Sequence, residues 1–247
     1  MSLDGLHACV VDLDGVVWLS GTALPGAVEG VAELRRRRIP VLFATNNAAR
    51  TLDSLRNRLA AIGIEADNAE LATSAQSAAA LLGAGQRVFA VGEAGLREAL
   101  EQAGTALVEA SPDAVVVGLT RTFDYDTCDR AATHVRDGAR FVATNVDPTL
   151  PTPEGLRPGA GAIVAAIATA AGREPEVAGK PSAAMVRYVT SRVAVGAVVG
   201  DRDSTDGAFA RALGVPFALV ASAVHEPDAD PDVRAGTLLD AVVALCS

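Results

Sequence analysis

Lysine is almost missing from this chain. Of its 21 basic residues 20 are arginine, and the single lysine is Lys180. Arginine offers a planar fork and lysine a compact, mobile point charge, so the one place that keeps lysine becomes a candidate for chemistry. Cysteine is also scarce. Cys9, Cys128 and Cys246 stand apart, without the spacing of a metal clamp or a redox pair, which predicts a reduced, cytoplasmic protein. Net positive charge is absent: at −9 the chain has no basic face to track phosphates, and a nucleic-acid partner is not expected. Its one basic run, Arg35 to Arg38, reads as the last turn of a helix, where cations complement the dipole. No apolar run reaches membrane-spanning length and no basic region leads into an apolar one at the N-terminus, so no membrane partner is expected either.

Several catalytic patterns are missing as well. There is no G-x-S-x-G, hence no nucleophile elbow. His7, His134 and His225 have no triad context and read as solvated or packed residues. The stretch "GREPEVAGKP" has the wrong spacing for a P-loop and a proline where Ser or Thr is required. Neither Cys9 nor Cys128 is followed by the arginine of a cysteine-phosphatase loop, since Gly15 and His134 stand at that spacing. "GAGAIVAAI" lacks the third glycine of a dinucleotide site and reads as a packed helix.

What is present is an alternation of apolar strand-like and helix-like segments from end to end. "HACVVDL", "IPVLFAT", "RVFAVG", "DAVVVG", "RFVATN", "AVGAVVGD" and "PFALVAS" are separated by helical patterns at about 25–38, 51–62, 74–82, 95–104, 125–136, 159–172 and 205–213, with a further helix at the C-terminus. Continuous apolar strands between helices predict an α/β protein with parallel sheets covered on both faces. The strands are too many for one small sheet, so two α/β units are expected. Ligands of such sheets bind beyond the carboxyl ends of the strands, and there the sequence places Asp12, Asp14 and Gly15, then Thr45, Asn46 and Asn47, then Asp201, Arg202, Asp203 and Asp206.

Asp12 and Asp14 are one residue apart and point the same way along a strand. Two such carboxylates at the end of a buried strand repel each other and call for a cation, a shared proton or a substrate. With Asp201 and Asp206 they make an oxygen-rich set free of histidine and cysteine, which suits Mg²⁺ held by carboxylates together with substrate phosphate. Lys180 adds a cation near a phosphate or holds the nucleophile. Thr45 and Asn46 offer a hydroxyl and an amide, and backbone N–H groups from Leu13 to Gly15 could complete an anion cradle, Gly15 permitting close approach.

"DLDGVVW", "TNNAAR", "GKP" and "VGDRDSTD" resemble, in order, the four motifs of the haloacid dehalogenase-like (HAD) phosphatase superfamily. "LPGA", "TSAQSAAALL", "ATNVDPTLPTPEGLRPGAGAIVAAI" and "VAGKPS" are similar to its NagD-like subfamily of glycerol-phosphate, phosphoglycolate and pyridoxal-phosphate phosphatases. The resemblance implies a Rossmann-like core over residues 1–84 and 175–247, with an inserted α/β cap over 85–174. It implies Asp12 as the nucleophile that forms an aspartyl-phosphate, and Asp14 as acid for the leaving alcohol and then base for water. Asp14 therefore has to be protonated in the first step, above its reference pKa of about 3.9. Thr45, Asn46 and the Leu13 backbone are implied to bind the phosphoryl oxygens, with Lys180 stabilising charge on nucleophile and phosphate. The implied Mg²⁺ ligands are Asp12, Asp201 and the Asp14 backbone carbonyl, with Asp206 supporting them.

Within the cap, Asn145 and Asp147 are the polar residues expected to select the leaving group, a glycerol-phosphate-like one, and the cap is expected to mediate any homodimer. The partner is thus a small phosphorylated metabolite. Ser204 and Gly207 depart from the usual fourth motif and put metal affinity in question. Phosphoryl transfer to another acceptor, as in phosphomutases, and non-catalytic binding of a phosphorylated ligand are the alternatives to hydrolysis.

Overall fold

All four residues of Ala8–Val11 are buried, as expected of a strand covered on both faces. The structure, a computed structural model, describes residues 7–152, 154–221 and 228–247; His225 lies outside the described residues. Ala8–Val11 sits inside a six-stranded sheet in the order Val233–Ala235, Phe217–Val220, Val195–Gly200, Ala8–Val11, Val41–Thr45, Leu71–Thr73. From Val233–Ala235 across to Val41–Thr45 every pairing is parallel. The chain leaves the first strand toward Val41–Thr45 and later returns on its other side as Val195–Gly200. That reversal makes the carboxyl end of Ala8–Val11 the topological switch point, where open α/β sheets bind ligands.

The chain divides into two compact units. The first holds residues up to Thr45 with 53–72 and 180–247, and the second holds 46–52 with 73–179. These units divide at 72/73 and 179/180. Helix Ser74–Leu82 falls in the second. Its alanines Ala75, Ala78 and Ala79 recur at helical spacing, and they share a core with Val88, Leu96, Leu100, Val116 and Val142 of the second unit.

In the first unit one face of the sheet contributes Val10, Leu42, Ala44 and Val198. These residues pack with Met185 and Val189 of helix Ala183–Thr190 and with Phe209 and Ala210 of helix Ala208–Leu213. Helices Ala27–Arg36 and Leu238–Leu245 pack on each other, the latter also against strands Val195–Gly200 and Phe217–Val220. Their buried stripes, Ala27, Gly30, Val31, Leu34 and Leu238, Ala241, Val242, Leu245, follow the helical period. A Cβ on Gly30 would lie 2.6 Å from Leu238 Cγ, so glycine sets how closely the two helices cross. Arg35 and Arg36 do fall in the last turn of the first helix, followed by Arg37 as its cap. Arg36 and Arg37 bond Glu33 and hold its carboxyl down at about 2, the Arg36 hydrogen bond being the largest cause.

The second unit has a five-stranded sheet in the order Glu176–Val177, Arg140–Ala143, Ala114–Val117, Arg87–Val91, Ala106–Leu107, again parallel throughout. Phe89, Val91, Val115 and Val117 pack with Ala131 and Val135 of helix Tyr125–Arg136 and with Ile163, Val164 and Ile167 of helix Ala160–Ala171. Among the described residues no helix is long and apolar enough to cross a membrane.

Candidate active site

The register of the first unit brings its predicted residues to one level. Val11 pairs with Val199 on one side and with Phe43 on the other, and the Asp12 N–H donates to the Val199 carbonyl at 2.9 Å. One further step along each strand gives Asp12, Ala44–Thr45 and Gly200–Asp201 side by side at the switch point. The Asp201 side chain comes close because Gly15, at φ +96°, has no side chain. A Cβ there would lie 2.3 Å from Asp201 Oδ2. Gly200 does the same for Asp206, whose Cβ would be met at 2.2 Å.

Lys180 closes the group. Ser182 caps helix Ala183–Thr190 by accepting from the Met185 N–H. Just ahead of that cap, the Lys180 ammonium donates to Asp12 Oδ1 at 2.7 Å, Asp206 Oδ1 at 2.6 Å and the Ala44 carbonyl at 2.9 Å. Lys180 is 4% exposed, Asp12 7%, Asp201 6% and Asp206 1%. Burial pushes the Asp12 carboxyl well above its ordinary value; Lys180 pulls it down, while Asp206, Asp201 and Asp14 add to the rise. For Lys180 burial is again the largest influence and disfavours the ammonium. Asp12 and Asp206 outweigh it, leaving the lysine above its ordinary value and so charged.

One oxygen each from Asp12, Asp201 and Asp206 lies within 4.8 Å of the others. Fully ionised, these three acids exceed the one ammonium by two negative charges, a deficit the size of a divalent cation. With only oxygens on offer, the donor set fits a hard ion such as Mg²⁺. Burial of this much charge is tolerated only when it is paired or coordinating.

Asp14 faces a different set of partners. Its Oδ1 accepts from the Trp18 indole N–H at 3.0 Å, and its Oδ2 from the Thr45 hydroxyl at a long 3.4 Å. The Leu13 carbonyl accepts from both Val17 N–H and Trp18 N–H at 3.0 Å, curling the chain after the two acids. Sequence patterns do not single out Trp18 or the Ala44 carbonyl. The only signal for the first is the Asp14–Trp18 spacing of four in a strand-to-turn segment. For the second, a backbone acceptor leaves no mark in sequence.

Beyond Asp201 the chain makes a π-helical turn, Asp203–Gly207, that leads into helix Ala208–Leu213. Asp206 Oδ2 accepts from the Arg202 N–H at 3.3 Å. Gly207 has a local reason: a Cβ there would lie 2.3 Å from Asp203 Oδ1, which is ion-paired to Arg211 at 2.9 Å. Ser204 is exposed on the turn.

Asn46, Asn145 and Asp147 belong to the second unit and are brought together there. Asn145 Nδ2 donates to the Asn46 carbonyl at 2.7 Å, and Asn145 Oδ1 accepts from the Asp147 N–H at 3.1 Å. Asn46 Nδ2 donates to Asp147 Oδ2 at 3.3 Å, and the Ser74 hydroxyl gives the Asn46 carbonyl a second bond at 2.7 Å. Gly179, next to Lys180 in the chain, fits under this network because a Cβ would lie 2.5 Å from Asn46 Oδ1 and 2.4 Å from the Thr144 carbonyl.

Residues 9–106 match the family described as haloacid dehalogenase-like hydrolase, and residues 177–244 match a HAD-hydrolase-like family. A D-glycerol 3-phosphate phosphatase of Mycobacterium tuberculosis is 42% identical over 229 residues, covering 89% of this chain and 64% of that protein. The chain thus spans less than two thirds of that relative's length. A dihydroxyacetone phosphatase of Corynebacterium glutamicum is 33% identical over 232 residues, covering 91% of this chain and 83% of that protein. Among solved structures, glycerol phosphate phosphatase of Mycobacterium tuberculosis in complex with magnesium superposes with a TM-score of 0.88 at 38% identity, covering 98% of this chain and 78% of the other.

Proposed function

The chain belongs to the haloacid dehalogenase-like hydrolases, and from that premise we propose that it is a magnesium-dependent phosphatase of small phosphorylated metabolites. The observation that carries the proposal is the buried Lys180 ammonium between Asp12 and Asp206, with Asp201 completing a three-oxygen set at the switch point.

In this reading Asp12 attacks phosphorus. A bond forms from its carboxylate oxygen to phosphorus while the bond from phosphorus to the leaving oxygen breaks, and Asp14 delivers a proton to that oxygen so the product departs as an alcohol. Water then attacks the aspartyl-phosphate, its proton passing to Asp14. Asp12 is restored and inorganic phosphate released. Lys180 fixes the nucleophile's orientation and offsets the repulsion between a carboxylate and a phosphate dianion. Asp12 and Asp201, with Asp206 in support, would hold Mg²⁺, which would supply further charge neutralisation for the phosphate. Thr45, Asn46 and the Leu13 backbone bind phosphate.

The second unit acts as the family's inserted cap. Asn145 and Asp147 are the polar residues to which selection of the leaving group is assigned. A glycerol-phosphate-like substrate is favoured by the relative named D-glycerol 3-phosphate phosphatase.

The test is phosphate release from p-nitrophenyl phosphate and a panel of phosphorylated metabolites, with Mg²⁺ or with a chelator. Metal-dependent release that is lost in Asp12→Asn is expected. Turnover that survives this substitution, or that ignores the chelator, would overturn the assignment.

A further inference from the structure

Trp18 is the only tryptophan of the chain, and the residue is 2% exposed. It opens a short hairpin, Trp18–Leu19 with Thr22–Ala23, whose start is tied to the Asp12–Asp14 turn. The Gly15 N–H donates to the Trp18 carbonyl at 2.8 Å, and Asp14 and Trp18 form an isolated parallel bridge. With both backbones held, the indole N–H reaches Asp14 Oδ1 at 3.0 Å.

The ring is held in turn. The Arg58 guanidinium lies 5.6 Å from its centroid, at cation–π distance. Arg58 reaches this position through a gap kept by Gly21: at φ +93°, a Cβ there would lie 1.9 Å from Arg58 Nη2. The buried Arg58 Nε has no hydrogen-bond partner among the described residues. The aromatic face is therefore what this part of the side chain meets.

An indole N–H can only donate. It commits Asp14 Oδ1 to accepting, so a proton to be delivered from this carboxyl belongs on Oδ2, the oxygen on the Thr45 side. We propose that Trp18 is a positioning residue: its indole N–H sets which Asp14 oxygen faces the leaving group, and so how poor a leaving group the enzyme can expel. This rests on the reading of Asp14 as the acid of the first step.

Because Trp18 is alone, expression with benzothienylalanine in place of tryptophan exchanges one N–H for sulfur in the whole protein and keeps the ring's shape. Trp18→Phe provides a second variant. The readout is kcat/KM for p-nitrophenyl phosphate, whose leaving group departs with little help, against phenyl phosphate, whose leaving group needs a proton. This quantity covers the steps up to the aspartyl-phosphate, so the later use of Asp14 as base does not enter it.

Positioned acid catalysis supplies roughly 10²–10⁴-fold, and losing its aim is expected to lower the phenyl-to-nitrophenyl ratio by about tenfold. An equal fall for both substrates would show a merely structural role and overturn the proposal, as would no fall in either. Asp14→Asn separates the two layers. If it leaves the ratio unchanged, the acid assignment itself fails. If it lowers the ratio and the Trp18 variants do not, only the positioning role fails.

Discussion

In the first unit the chain reaches Asp12, Thr45 and Asp201 at the ends of three adjacent central strands. In the second the corresponding central strands lead into Gly92, Gly118 and Thr144. In both sheets these central strands pair in parallel and are buried, so backbone architecture offers a ligand crevice at either set of ends. What differs is the residue placed at the end of each strand or one step past it. The first unit holds charge there, secured by Lys180. The second places uncharged residues there, with the Gly118 backbone near the Thr144 side chain and the Gly92 backbone against Leu96. Its polar cluster is built of amides and backbone groups around Asn46, Asp147 supplying its one carboxylate. Folds of one class acquire chemistry only through such local choices.

The sharpest way to break this comparison is to remove the charge that holds the first unit's site together. Lys180→Met leaves Asp12 and Asp206 without their ammonium, and losing one partner of a buried ion pair costs roughly 3–5 kcal/mol. Urea unfolding in metal-free buffer at neutral pH should show that loss. Mg²⁺ should recover part of it, because a ligand bound only by the folded state stabilises that state. Phosphatase activity should fall on the order of 10²–10³-fold in kcat even with Mg²⁺ present. Unchanged stability would mean that the acids do not carry the charge ascribed to them.

Neutral hydrogen bonds predict a smaller effect in the second unit. Asn145→Ala removes the amide that joins the Asn46 carbonyl to the Asp147 N–H. Ser74 still serves that carbonyl, so the expected loss is about 1–3 kcal/mol in urea unfolding. The ranking of substrates by kcat/KM should shift as the Asp147 segment loosens. A loss as large as that of Lys180→Met would erase the distinction between a charged site and a neutral one.

Much of this contrast is legible in the amino-acid sequence. Asp12, Lys180, Asp201 and Asp206 stand out because charge at the end of an apolar strand is costly without a purpose, and composition singles out the lone lysine. The long apolar strands and the small-residue helix Ala160–Ala171 are legible from their runs. Two kinds of information are not. Short elements such as Leu71–Thr73 and Val233–Ala235 are made by tertiary pairing, with too few residues to show a period. Likewise the helix Ala183–Thr190 hides behind the more conspicuous "GKP", although Ser182 caps it. The unit boundary also depends on packing: Ala75, Ala78 and Ala79 suit either neighbour, and only the contacts with Leu96 and Leu100 assign them. Trp18 reads as one more apolar residue because its body is apolar and only its N–H carries the function.

The smallest expected effect tests the strand ends of the second unit directly. Thr144 follows Arg140–Ala143, its N–H donates to the Val117 carbonyl at 2.8 Å, and its side chain is fully buried. The hydroxyl Oγ1 has no hydrogen-bond partner among the described residues. A buried hydroxyl without a partner is a liability that a methyl group of similar shape removes. Thr144→Val is therefore expected to be neutral or to stabilise by up to about 1 kcal/mol, read as the urea midpoint at unchanged slope. Destabilisation would mean that the hydroxyl bonds a trapped water. In that case a water sits at this strand end of the second unit, and its contrast with the first unit rests on charge alone.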